Sequence, residues 1–254
     1  MKSYFKTCAG ITALLPALTT WTVAEAQTCT VDWNNVHQRI DGFGASSAWQ
    51  GGWTTAKADM FFSTNNGIGL SLLRNHISFA GSASSNVIPS TSEISIMQMA
   101  QARGALVWSA PWTPAVGFKS TNEIYDAKHA TGGGINGGSF NGNGNNLTNL
   151  NYASQLANYV YSMEHSPNNV RIYAISVQNE PDASVTNYEA CQWSGQQIHD
   201  FVTNLHNALV SKGVGSTKII IPESENWSSK PGLFTPTLND PNSAAAVSII
   251  ANHD

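Results

Sequence analysis

From Val170 to Val177 the chain reads Val-Arg-Ile-Tyr-Ala-Ile-Ser-Val, an almost unbroken β-branched and apolar run. A strand with one wet face alternates apolar and polar residues, whereas a strand buried on both faces is written as continuously as this one. Such a strand needs cover on two sides, which a parallel sheet wrapped by crossover helices provides. The run continues into Asn179-Glu180-Pro181-Asp182. Pro181 cannot donate a ladder hydrogen bond, so a strand is expected over Val170–Glu180 with its end there. Glu180 is then a carboxylate at the carboxyl end of a parallel strand, where barrel enzymes place catalytic groups. An Asn-Glu-Pro triplet is equally compatible with an ordinary polar strand ending.

Similar strand patterns recur at Ile40–Ala45, Leu70–Ile77, Ala105–Trp112, Thr217–Glu223 and Val247–His253. Helical patterns lie between them, near Thr54–Ser63, Glu93–Arg103 and Asn151–Glu164. The clearest helix follows the Glu180 strand. Ile198, Phe201, Val202, Leu205 and Leu209 form its apolar stripe, and Thr186-Asn-Tyr-Glu189 reads as its capping box. Six strands in βα alternation predict an α/β fold, either a doubly wound sheet or a barrel. Cys29–Gln38 reads as an extra strand outside that alternation. The Gly- and Asn-rich stretch Thr131–Asn149 reads as a long loop that cannot bury a core, on the same face as Glu180.

The first 26 residues look like an export signal. Lys2 and Lys6 precede a mostly apolar Cys8–Val23, and Ala24-Glu25-Ala26 is a small-x-small cleavage site, so the mature chain is expected to begin at Gln27. Thr12, Pro16, Thr19 and Thr20 interrupt a stretch already too short for a membrane span. No membrane partner is expected. Cys29 and Cys191 would remain after cleavage; they could pair, but they supply no metal spacing. Asn146-Leu-Thr148 and Asn226-Trp-Ser228 are glycosylation sequons. Charged residues make up only 11% of the chain, the formal net charge is −4 and no basic run occurs, which argues against nucleic acid. Eight Trp among abundant Asn, Gly and Ser suit neutral polar ligands, because aromatic faces stack on a sugar while amides bond its hydroxyls.

Several catalytic templates are excluded. Gly44-Ala-Ser46-Ser-Ala48 lacks the second Gly of a nucleophile elbow, and neither a Walker loop nor His-Glu-x-x-His is present. What remains are carboxylates at strand ends: Glu180 on the fourth strand, Glu223 on the fifth and Asp254 after the sixth. Arg74 and Asn75 lie on the second strand, Trp108 and Trp112 on the third. Carboxylates, Asn and Trp at one mouth suggest glycoside hydrolysis, which uses one carboxyl as acid/base and another as nucleophile. Each residue also has a plainer reading: Glu223 as a hydrogen-bond partner of a neighbour, Trp112 as core, Arg74 as a structural ion-pair partner.

Five segments in order, Asp41-Gly-Phe-Gly-Ala-Ser46, Leu72-Leu-Arg74, Trp108-Ser-Ala-Pro-Trp112-Thr-Pro114, Ser176-Val-Gln-Asn-Glu-Pro-Asp182 and Ile221-Pro-Glu-Ser224, resemble glycoside hydrolase family 30, and its secreted xylanase branch in particular. The resemblance implies a (β/α)8 TIM barrel over 40–254, truncated after about six strands, with 27–39 as a strand of a side β-sandwich. It implies a retaining enzyme with Glu180 as acid/base and Asn179 binding the 2-hydroxyl of the sugar being cleaved. Arg74 would support the nucleophile, and Trp112, Trp49 and Glu223 would contact substrate. Where the family often continues with Pro-Ala-Trp-Met-Lys, this chain has Ala115-Val-Gly-Phe-Lys119. The implied activity is endo-β-1,4-xylanase action on xylan or glucuronoxylan, secreted and monomeric, without cofactor or metal. A glucosylceramidase-like or β-1,6-glucanase activity, or a non-catalytic carbohydrate-binding fragment, are the alternatives. The nucleophile, on a seventh strand, is expected beyond Asp254, and residues 27–254 alone are expected to be inactive. To act as an acid near neutrality Glu180 needs a raised pKa, which the nucleophile's charge would supply.

Overall fold

Among the described residues every pair of neighbouring strands runs parallel, and the sheet order is the chain order, β1 to β6. The structure is a computed structural model that describes residues 29–30, 32, 34–37, 40–78, 91–120, 139–183, 185, 188–226 and 231–253. The strands are β1 (Gly44–Ser46), β2 (Leu72–Ile77), β3 (Leu106–Pro111), β4 (Ile172–Ser176), β5 (Lys218–Ser224) and β6 (Ile249–Asn252). Helices α1 (Thr55–Phe62), α2 (Thr91–Gln101), α3 (Leu147–Glu164) and α4 (Gly195–Ser211) fill the first four connections, and α5 (Pro231–Asn239) and α6 (Pro241–Ala246) share the fifth. A doubly wound sheet reverses its strand order; this sheet does not. Six parallel strands with intervening helices form a half-barrel, the arrangement of a truncated (β/α)8 barrel.

The core lies between this sheet and its helices. Leu73, Ile77, Ile175 and Ile219 from the strands meet Phe62, Met97, Val160 and Leu205 from the helices, all at 0–1% exposure. Alternation along a strand sorts its side chains. Asn75 of β2 faces the helices, where its amide accepts the Ser109 hydroxyl at 2.6 Å and reaches Tyr159 of α3 at 3.4 Å. Its neighbours Arg74 and His76 therefore face the other way, into the half-barrel.

The strands are shorter than the sequence suggests. The expected strand Val170–Glu180 keeps ladder geometry only over Ile172–Ser176. Beyond it single bonds hold the chain: Val177 N–H to Ile220, Asn179 N–H to Pro111 at 2.8 Å and Glu180 N–H to Glu223 at 2.9 Å. It is the left-handed backbone at Glu180 (φ 46°), rather than Pro181 alone, that turns the chain out of the sheet. The first strand, expected from Ile40, pairs only over Gly44–Ser46. There a Cβ on Gly44 would meet the Leu72 carbonyl oxygen at 2.5 Å, so the close approach of β1 to β2 requires glycine.

The apolar stripe of α4 is as expected, with Ile198, Phe201, Val202, Leu205 and Leu209 all at 0%. Its start is not. The capping box is Ser194 with Gln197, adjacent to the stripe, and Glu189 stays outside the helix; Thr186 and Asn187 lie outside the described residues. The Gly/Asn loop is also corrected. Helix α3 begins at Leu147, capped by Asn146, whose side chain accepts the Asn149 N–H at 2.9 Å. Phe140, at 2% exposure, stacks on Trp193 with centroids 3.8 Å apart, so this stretch does feed the core through one aromatic ring. Residues 131–138 of that loop lie outside the described residues.

The chain divides into two units, Met1–Ile40 and Asp41–Asp254, and the second carries all the elements above. Residues 1–26, expected as an export signal, lie outside the described residues, as do Val31 and Trp33 of the expected sandwich strand. In the described part of 27–39 the Asp32 carboxylate accepts the Asn34 N–H at 2.9 Å. Cys29 and Cys191 are free thiols, and burial pushes that of Cys191 up to about 12. Among the described residues no helix is long and apolar enough to cross a membrane.

Candidate active site

Strained backbone gathers where the strand ends converge. Among the described residues four other than glycine have positive φ; three of them, Trp49 (57°), Glu180 (46°) and Glu223 (55°), follow strands β1, β4 and β5 or close them. Such conformations persist only where the surrounding structure over-determines them, and they cluster at functional sites.

Arg74 of β2 connects these strand ends. Its Nη2 donates to Asn179 Oδ1 at 2.6 Å and to Glu223 Oε2 at 3.1 Å, and its Nε donates to Glu223 Oε1 at 3.3 Å. The guanidinium also lies 4.3 Å from the Trp112 ring centroid and 5.4 Å from that of Trp108. This is the forked geometry that suits Arg and no other cation. Glu223 is fully buried, so Arg74 is what makes its charge tolerable. Oδ1 of Asn179 is taken by Arg74, and its Nδ2 makes no hydrogen bond among the described residues. A cavity of about 270 Å³ opens beside Arg74, lined by Gly44, Ala45, Ser46, Leu72 and Trp108.

Glu180 stands apart from that pair. Its Oε2 accepts the Tyr188 hydroxyl at 2.6 Å and its Oε1 lies 2.9 Å from His253 Nδ1, just past β6. The hydrogen bond from His253, chiefly, and that from Tyr188 hold its carboxyl below the ordinary 4.5 against the opposing effect of burial. The raised pKa that an acid near neutrality needs is therefore not present in this arrangement; the groups facing Glu180 all favour its ionised form. Tyr188 is pushed up, by desolvation first and then by its bond to Glu180.

An aromatic wall flanks these carboxylates. Trp49 is 61% exposed, and its ring centroid lies 5.5 Å from those of His76 and Trp112 and 5.9 Å from that of Tyr188. Trp112 is 4% exposed, packed against Arg74 and edge-on to His76 at 4.6 Å, so little of its surface is left for a ligand. His76 Nε2 meets Glu189 Oε2 at 2.6 Å.

Of the residues singled out in the sequence, Arg74, Asn179 and Glu223 form one hydrogen-bonded cluster, with Trp112 on its cation. Glu180 and Trp49 lie at the same mouth. Asp254 lies outside the described residues. Sequence reasoning missed Tyr188, His253, His76 and Glu189. For His253 a signal existed, since it follows a strand of known phase. Tyr188 and Glu189 sit in a loop whose return path no local pattern encodes. Ala115–Lys119 forms a 3₁₀ turn that buries Phe118, and Lys119 donates to Thr113 Oγ1 and the Ala190 carbonyl, both at 2.7 Å. Among the described residues no group of three or more His, Cys, Asp or Glu side chains is placed to hold a metal.

A parallel half-barrel with carboxylates at the carboxyl ends of its strands is the architecture of (β/α)8 enzymes. No protein-family model matches the chain. The glucuronoxylanase XynC of Bacillus subtilis strain 168 is 30% identical over 241 residues, 91% of this chain and 48% of that protein. Among solved structures, a family 30 subfamily 8 xylanase from Clostridium acetobutylicum matches with 36% identity and a TM-score of 0.69, covering 85% of this chain and 50% of that one. A family 30 endoxylanase from Clostridium papyrosolvens C71 follows at 27% identity and a TM-score of 0.65, with 85% and 50% covered. Over most of its length the chain is thus similar to glycoside hydrolase family 30 xylanases. It spans about half the length of the curated relatives it matches.

Proposed function

We propose that this chain carries the acid/base carboxylate, Glu180, of a secreted, retaining endo-β-1,4-xylanase. The observation that carries the reading is the division of labour among the carboxylates. Glu180 is partly open and held by two neutral-capable donors, whereas Glu223 is buried and neutralised by Arg74. Only the first can exchange a proton with a ligand in the mouth.

In this reading the protonated Glu180 gives its proton to the glycosidic oxygen as the C1–O bond breaks. A second carboxylate attacks C1 from the opposite face and forms a glycosyl ester. Glu180, now ionised, takes a proton from the water that cleaves the ester. Glu223 is unsuited to the attack, because its oxygens are turned to the guanidinium; following the resemblance to family 30, the reading assigns the nucleophile to a carboxylate outside the described residues. A retaining pair lies only about 5–5.5 Å apart, and the negative charge of such a neighbour raises Glu180's pKa against the pull of His253 and Tyr188. The Nδ2 of Asn179 is the donor for the sugar 2-hydroxyl, and the exposed face of Trp49 is the stacking platform. Polysaccharide is the partner, met by a monomer.

The test is the stereochemistry of xylan cleavage. Protein recovered from culture medium is expected to begin at Gln27, and proton NMR of its first products from glucuronoxylan should show the β-anomer before mutarotation. An α-anomer, or turnover confined to β-1,6-glucan, would overturn the reading.

A further inference from the structure

The loop that leaves Glu180 passes it again at Tyr188, and the next residue is tied to a different part of the protein. Glu189 Oε2 meets His76 Nε2 at 2.6 Å, and its Oε1 accepts the Ser78 hydroxyl at 3.3 Å. His76 lies in β2 and Ser78 follows it directly. The pair is secluded, with the Glu189 and His76 side chains 6% and 8% exposed. A carboxylate in such a place keeps its partner, because leaving it buried alone is costly. His76 is itself held in position, edge-on to Trp112 and beside Trp49. Behind it Glu93, buried and with its pKa raised by desolvation, accepts the Ser47 hydroxyl at 2.7 Å. Glu189 is therefore fastened to the rigid sheet one residue away from the tyrosine whose hydroxyl meets Glu180 at 2.6 Å.

We propose that Glu189 is a positioning residue: its buried bond to His76 fixes the Tyr188–Glu189 backbone and so aims the Tyr188 hydroxyl at Glu180. Glu189 does not reach the reacting atoms; it acts through Tyr188. The functional consequence rests on the reading of Glu180 as acid/base, but the positioning itself does not.

The experiment reads the titration of the Glu180 carboxyl by carbon-13 NMR in the full-length protein, with the signal assigned through Glu180→Gln. Tyr188→Phe removes a donor to the ionised form and should shift the titration upward. Glu189→Ala should shift it in the same direction, and the double variant should shift it no further than Tyr188→Phe alone. Glu189→Met, close to glutamate in volume but without acceptor oxygens, serves where the cavity left by alanine prevents folding. Glu189→Gln keeps an acceptor for His76 and should restore the parent titration. An unchanged Glu180 titration in Glu189→Ala or Glu189→Met would overturn the proposal, as would additive shifts in the double variant. Because no turnover is measured, a failure here is separate from a failure of Glu180 as acid/base.

Discussion

At the scale of single residues, Arg74 is the group on which the site depends. Its two bonds to Glu223 and one to Asn179 come from one planar fork, and Glu223 has no exposed surface through which water could replace it. Arg74→Ala leaves that carboxylate buried and uncompensated, so the unfolding free energy should fall by about 3–5 kcal/mol in a denaturant titration. A loss below about 1 kcal/mol, the range of exposed pairs, would show that Glu223 finds another partner. Glu180 and Glu223 were legible in the sequence because each stands where a readable strand ends, whereas the roles of Arg74, inside β2, and of Asn179 came from the resemblance to family 30. Which of the two glutamates stays accessible was not legible. That depends on Arg74 reaching across from β2, a contact between positions 149 residues apart. Trp112 illustrates the same limit: its burial follows from Arg74 and His76 packing on it, which no local pattern announces.

At the scale of elements, the six strands and four of the helices follow from apolar periodicity. Their ends do not, because pairing stops where geometry at the mouth takes over. Helices α5 and α6 escaped detection because Pro231, Pro236 and Pro241 imitate a loop; Pro241 stands in the first turn of α6, where its missing N–H is harmless. A histidine ties these late helices to α4. His199 Nδ1 lies 2.8 Å from Asp200 Oδ1, and its Nε2 lies 3.0 Å from Oδ2 of Asp240, the N-cap of α6. The bond to Asp200, chiefly, holds His199 above its ordinary 6.5 against a desolvation penalty. Asp200, although burial pulls it upward, is drawn below its ordinary 3.8 by His199 and the Gly144 N–H. Asp240 is lowered by the Asn242 N–H and then by His199. A raised histidine stabilises fully below its unfolded pKa and ceases to do so as pH rises through the folded one; the lowered carboxylates lose their part as pH falls through theirs. His199→Gln should therefore melt below the parent at about pH 5.5, with the gap closing by about pH 9. A gap that stays constant across that range would contradict the clasp.

At the scale of the whole molecule, the parallel order β1 to β6 brings strand ends from across the chain to one mouth. The sequence left a doubly wound sheet and a barrel both open, and the order of pairing decides between them. Similarity to family 30 xylanases over most of the chain agrees with that order. The central claim is that Glu180 supplies the proton on which xylan cleavage depends. It is tested most directly by comparing Glu180→Gln with the parent, full-length, on two substrates: glucuronoxylan, whose leaving sugar needs protonation, and an aryl xyloside whose leaving group does not. The account predicts that xylan turnover falls by about 10²–10⁴-fold, while release of the aryl group in the first step is far less impaired. Unchanged xylan turnover, or an equal loss on both substrates, would contradict it.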